Sequence, residues 1–178
     1  LNPTTQSIIA KSFDENGNLI SGIHTYDPET FISQFIKGFP ASDTRQQIFD
    51  NFLVWLKKLI LIAPPNAIWL DGSYLTQKVN PNDIDLIAFY IPEDLPNEAK
   101  AKEVQAMFGA YAKQFKCDAY HCLTFDHWPS EQQQRVDDTL RTLRTYWMGQ
   151  FGFDRNRHPK GLVEFLQDDI IKLGGEGA

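Results

Sequence analysis

Sulfur is scarce in this 178-residue chain, which has two cysteines, Cys117 and Cys122, and two methionines. Two cysteines make no disulfide framework, and free thiols fit a reducing compartment. Long apolar runs are missing as well. The longest, residues 86–91, falls far short of the ~20 residues of a membrane span. No charged start, apolar stretch and small-residue cleavage site opens the chain. A cytoplasmic protein with no membrane partner is expected. The chain also lacks internal repeats, a P-loop, a Rossmann glycine set and a Ser-His-Asp or Cys-His signature. His121, Cys117, Cys122 and His127 match no standard zinc spacing. What remains is an ordinary globular composition, 42% hydrophobic and 22% charged, which excludes collagen-like and disordered classes.

Positive charge is in short supply: 17 Lys and Arg stand against 23 Asp and Glu, for a net charge of -6. A whole-surface nucleic-acid binder usually runs basic. The shortage is uneven, because residues 132–160 hold six basic and three acidic side chains, a net +3. A local anion-binding face and an ordinary solvated helix with its turn are both compatible with that count.

Periodicity and punctuation give the elements. Asn16-Gly17 between apolar-containing segments predicts an N-terminal β-hairpin or arm ending near Gly22. Asp27-Pro28-Glu29 starts a short helix that stops by Gly38. A longer helix runs from Ser42 or Asp43 to Pro64-Pro65, with Ile48, Phe49, Phe52, Leu53, Leu56, Leu59 and Ile60 on its apolar face. Residues 67–70 read as a buried strand, 71–73 as a turn and 83–90 as a second strand. A helix is expected over 97–115, a third strand over 117–123 and a helix capped by Ser130 over 131–148. A turn and a last strand over 162–166 follow. Helices and strands alternating irregularly around a small mixed sheet define an α+β domain.

The stretch with chemistry is Trp69-Leu70-Asp71-Gly72-Ser73, followed after nine residues by Asp83-Ile84-Asp85. Alternate side chains of a strand share a face, which sets Asp83 and Asp85 together with Cα atoms roughly 6.5–7 Å apart. Two carboxylates on one rigid face suit Mg²⁺, which takes few protein oxygens and lets substrate phosphates complete its octahedron. Gly72 allows close approach of a ligand, and Ser73 offers a hydroxyl and an N–H to phosphate. Asp118, in the third strand, is the candidate third acid. The plain alternative is a strand start with surface aspartates after an Asn-Pro turn.

Gly72-Ser73, nine residues, Asp83-Ile84-Asp85 and the later Asp118 resemble the DNA-polymerase-β-type nucleotidyltransferase superfamily over about one third of the chain. Gly22-Ile23-His24 and Phe151-Gly152-Phe153-Asp154-Arg155 with Pro159-Lys160-Gly161 extend the likeness. They resemble small prokaryotic proteins with that core, discussed beside toxin–antitoxin and defence modules. The glycine-rich tail at 173–178 is expected to be flexible, and the resemblance implies one nucleotidyltransferase-like domain over residues 1–172, with its core at about 42–150. It implies two Mg²⁺ ions held by Asp83, Asp85 and Asp118, and an NTP, ATP by default, gripped through Gly72 and Ser73. Lys78, Arg155 and Lys160, the last two expected at exposed positions, are further candidates for the phosphates. The acceptor hydroxyl would belong to RNA such as tRNA, to a protein or to a small molecule. The rivals are a non-catalytic module that binds nucleic acid or a cognate protein, its acids vestigial, and an antibiotic nucleotidyltransferase. No template-binding domain follows the core, which argues against a template-copying polymerase.

Overall fold

The computed structural model describes residues 10–175. Five strands form one mixed sheet in the order β1-β5-β2-β3-β4. They are β1 Gly22–Thr25, β2 Ala67–Asp71, β3 Ile84–Tyr90, β4 Cys117–Leu123 and β5 Gly161–Leu166. The β1–β5 and β3–β4 pairs are parallel, and β2 runs antiparallel to both β3 and β5. The helices are α1 Pro28–Ile32, α2 Arg45–Ile62, α3 Glu98–Gln105, α4 Ala110–Lys113, α5 Ser130–Gln133, α6 Asp138–Phe151 and α7 Gln167–Gly175. The protein is thus α+β, a mixed sheet flanked by helices. No helix among the described residues is long and apolar enough to cross a membrane.

The two faces of the sheet are unequal. On one, Ile68, Leu70, Leu86, Ala88, Val163 and Phe165 meet the buried stripe of α2, which includes Ile48, Phe52, Trp55 and Leu59. On the other, Ala67, Trp69, Ile87, Phe89 and Leu162 lie under Leu143, Trp147 and Phe151 of α6. Burial on both sides explains why β3 reads as a nearly continuous apolar run rather than an alternation. The acids are the exception on the α6 face, and they cluster at one end of it.

Several elements differ from the sequence expectation. The helix over 97–115 is two helices, because Gly109 takes φ +59° between them and the Met107 carbonyl accepts from Trp55 Nε1 at 2.7 Å. The helix over 131–148 is also two. Asp137 leaves the helix to cap α6, its side chain accepting the Thr139 N–H at 2.9 Å, an alternative that short polar side chains offer the backbone. Val136, expected on the apolar seam, therefore falls in the break. The N-terminal arm is reduced to a tight turn with one bridge, Phe13–Leu19; residues 7–9 of it lie outside the described residues. Its neighbour β1 pairs in parallel with β5 instead. The helix α7 was not expected. Residues 173–175 belong to it, with Leu173 buried, and residues 176–178 of the expected tail lie outside the described residues.

Candidate functional site

The sheet register assembles the acids. Asp71 is the partner of Asp85 across β2–β3, and Asp85 is the partner of Asp118 across β3–β4. Neighbouring strands lie ~4.7–4.9 Å apart, so three carboxylates stand side by side on the α6 face. Asp83, two residues before Asp85 and just outside β3, sits at the strand's mouth and adds its charge to those acting on Asp85. With Asp118, Lys113 and Lys116 it lines a cleft of about 340 Å³. Asp83, Asp85 and Asp118 are therefore brought together. The acid that sequence reading missed is Asp71. The sequence pattern puts it in the turn after residues 67–70, whereas β2 is one residue longer and ends on Asp71. The alternation Ala67, Trp69, Asp71 against Ile68, Leu70 was the available signal.

Crowded carboxylates repel, and burial sharpens the effect. Asp85 has its pKa raised to about 6, first by burial and then by Asp71, Asp83 and Asp118. Asp71 is only 5% exposed; burial pushes its carboxyl up, opposed by Lys160. Lys160 Nζ lies 2.8 Å from Oδ1 and 3.0 Å from Oδ2 of Asp71. The hydrogen bond goes to Oδ2, and among the described residues no donor meets Oδ1 at hydrogen-bond geometry. Asp118 accepts from the Tyr120 hydroxyl at 3.2 Å and faces Lys113 at 3.6 Å.

Gly72 is required by this arrangement. Its φ of +81° and ψ of -167° belong to a region populated essentially by glycine. A Cβ built there would stand 1.7 Å from Asp85 Oδ2. Only a glycine lets the Asp85 carboxylate lie across the turn. The next residue, Ser73, is half-buried and begins a short 3-10 turn; its hydroxyl bonds to no protein group among the described residues. Arg45 pins the loop beyond. Buried at 1% exposure, it donates from Nη1 to the Phe35 and Tyr74 carbonyls and from Nη2 to those of Thr76 and Lys78, at 2.7–3.0 Å. Its guanidinium stacks 3.7 Å from the Phe39 ring centre. Burial lowers its pKa to about 10.

The other candidates are scattered. Lys160, expected to be exposed, is 13% exposed and spent on Asp71. Gly161 begins β5, and that start holds the preceding Lys160 near the end of β2. Lys78 is exposed; its carbonyl accepts from Arg45 and its N–H donates to Thr76 Oγ1, while its side chain has no partner among the described residues. Arg155 is exposed on the closing turn and makes no ion pair among the described residues. The basic stretch is no single free patch. Arg141 pairs with Asp138, and Arg144 pairs with Asp126 and Glu164 while lying over Trp69. Cys117 and Cys122 are buried in opposite layers, and burial pushes each thiol up to about 12, which disfavours the thiolate.

Among the described residues, no group of three His, Cys, Asp or Glu is placed to hold a metal by itself. Hard carboxylate oxygens beside a Gly-Ser turn with a free hydroxyl are nonetheless a donor set for Mg²⁺. That ion binds through one or two carboxylates plus substrate phosphates. Burial raises the Asp85 pKa most, and the part added by Asp71, Asp83 and Asp118 is negative charge that a cation would relieve.

Fold and site together define an α+β protein with an acid row and a glycine turn at one end of a mixed sheet. The chain belongs to a family of unknown function, DUF6932, whose model matches residues 11–166. No curated protein and no solved structure matches it.

Proposed function

We propose that the protein is an Mg²⁺-dependent nucleotidyltransferase that moves an NMP, AMP by default, from an NTP to an acceptor hydroxyl. The observation that carries this reading is the close approach of Gly72 to Asp85 beside Asp83 and Asp118. Carboxylates fixed on one sheet end beside a Gly-Ser turn are what transfer of a phosphoryl centre needs. Asp83, Asp85 and Asp118 are the residues that would hold the ions. Bound there, Mg²⁺ supplies charge stabilisation for the attacking and leaving oxygens of an in-line displacement. Gly72 and Ser73 orient the β- and γ-phosphates through backbone and hydroxyl donors. Asp118, at the outer end of the row and 30% exposed, is placed to meet the acceptor and take its proton. Asp71 and Lys160 set the electrostatic floor of the site, Lys160 neutralising the most buried acid.

The test is incubation of the protein with each α-labelled NTP, Mg²⁺ and total cell extract. Label retained in one fraction, and absent with Asp83→Asn, Asp85→Asn, is the expected result. Equal labelling by that double variant would overturn the assignment.

A further inference from the structure

The outer strand β4 forms the floor of a groove that leads to the acid row. Proteins usually blunt sheet edges with short strands, lysines, prolines or bulges. β4 has seven residues, none of them Lys or Pro, whereas the opposite edge strand β1 has four. At its two ends Ile84 N–H donates to the Lys116 carbonyl and Thr124 N–H to the Tyr90 carbonyl, at 2.9 and 2.8 Å. Peptide groups alternate along a strand. The even-numbered residues therefore face β3, and Cys117, Ala119, His121 and Leu123 turn theirs outward. The Ala119 carbonyl takes the Gly109 N–H at 3.4 Å. Those of His121 and Leu123 have no protein partner among the described residues.

Two cavities of about 520 and 570 Å³ lie along this edge and share Gln105, His121 and Trp147. The first runs between α3 and α6, walled by Ala101, Leu140, Leu143 and Tyr146, and no Lys, Arg, Asp or Glu lines it. The second reaches Asp118. At the far end the buried Thr124 hydroxyl has no partner among the described residues, and it lines a small cavity that shares Leu123 and Leu140 with the groove.

Unpaired peptide groups in an apolar-walled groove select their occupant. A nucleic acid would need free cations; the first cavity has none, and Lys113 of the second and Arg141 and Arg144 at the far end each face an acid, Asp118, Asp138 and Asp126. A second copy of the chain would bring its own helices against α3 and α6. An extended peptide supplies main-chain donors and acceptors at the right spacing and sends alternate side chains toward each wall.

We infer that the β4 edge takes an extended peptide at His121 and Leu123, and that a hydroxyl side chain of this peptide, carried past Gly109 to Asp118, is the acceptor. The second half rests on the nucleotidyl-transfer reading above. Leu123 and Asp118 are five residues apart, about 16 Å of strand, a span that a short peptide covers. In the transfer, the peptide hydroxyl oxygen bonds to the α-phosphorus and the α–β phosphoanhydride bond breaks. Pyrophosphate leaves, and the hydroxyl proton passes to a carboxylate of the row.

The experiment pans a displayed library of short random peptides against the protein and measures the enriched peptides, synthesised, by fluorescence polarisation. His121→Pro removes the outward N–H at a position where an edge strand accepts proline, and His121→Ala removes the ring but keeps the N–H. Docking at the edge predicts about tenfold weaker binding to the proline variant and little change with alanine. It also predicts slowed hydrogen exchange at the His121 and Leu123 amides of the wild-type protein when peptide is bound. No enriched peptide, equal binding to both variants, or protection only elsewhere overturns the docking site, and so does enrichment abolished by competing RNA. With docking established, α-labelled ATP and Mg²⁺ should label a Ser-containing peptide and not its Ser→Ala copy. Absent label while ATP·Mg²⁺ still raises the melting temperature overturns the acceptor role alone. Absent label with no such shift overturns the nucleotidyl-transfer reading and the acceptor role with it, and leaves docking to be judged by the variants.

Discussion

Replacing Gly72 with alanine separates a required glycine from an incidental one. The new residue must adopt φ +81° and ψ -167°, at a cost of about 1–3 kcal/mol for a side-chain-bearing residue. Its Cβ must also clear Asp85 Oδ2, 1.7 Å away. That oxygen ends a side chain, which turns aside for about 0.5–1.5 kcal/mol if it leaves its rotamer. The sum is about 2–4 kcal/mol, below the 5–15 kcal/mol of a typical domain, and the variant stays folded. With a urea slope of about 2 kcal/mol/M, the unfolding midpoint falls by about 1–2 M. Gly109→Ala is the reference, because φ is +59° there and nothing lies within 4 Å of the added Cβ. It bears the backbone cost alone. Truncating Asp85 to alanine in the Gly72→Ala background should recover the difference, about 1 kcal/mol, as positive coupling. A Gly72→Ala cost no larger than that of Gly109→Ala, with no coupling to Asp85, would refute the close approach on which the site is built.

Other consequences are equally measurable. Lys160→Met leaves Asp71 buried without its cation and should cost about 3–5 kcal/mol in chemical denaturation, most of it recovered by adding Asp71→Asn; an unchanged midpoint would show that the pair is open to water. Arg45→Met strips four carbonyls of their donor and should cost about 3–5 kcal/mol, seen in the same assay. For pH, the folded Asp85 holds its proton up to about 6, above the ordinary carboxylate value. Its contribution is therefore full below about pH 4 and is lost as pH rises through about 6. The melting temperature of Asp85→Asn minus that of wild type should climb between pH 4 and 6 and then level; a flat difference would contradict the crowding.

The layers were legible because their signals are local and strong. Ile48 to Leu59 at helical spacing, the bounded run at Ala67 and the Asp-Pro and Pro-Pro punctuation all placed elements that the structure contains. The two broken helices were not legible. The first break rests on the positive φ of Gly109 and on a distant tryptophan that bonds the Met107 carbonyl, the second on the local cap by Asp137, and none of these alters hydrophobic period. The partnership of Asp83 and Asp85 followed from alternation alone. The place of Asp71 and Lys160 depended on register between strands far apart in sequence, which periodicity within one strand does not carry.

The central claim, that the acid row and the Gly72-Ser73 turn form one Mg²⁺–nucleotide site, is tested most directly by the melting temperature with ATP alone, Mg²⁺ alone and both. Ligands that bind only the native state raise it by mass action. The expected result is a shift with ATP and Mg²⁺ together that exceeds the sum of the separate shifts and disappears in Asp83→Asn, Asp85→Asn. A shift of the same size in that double variant, or none in the wild type at millimolar ATP and Mg²⁺, would contradict the claim.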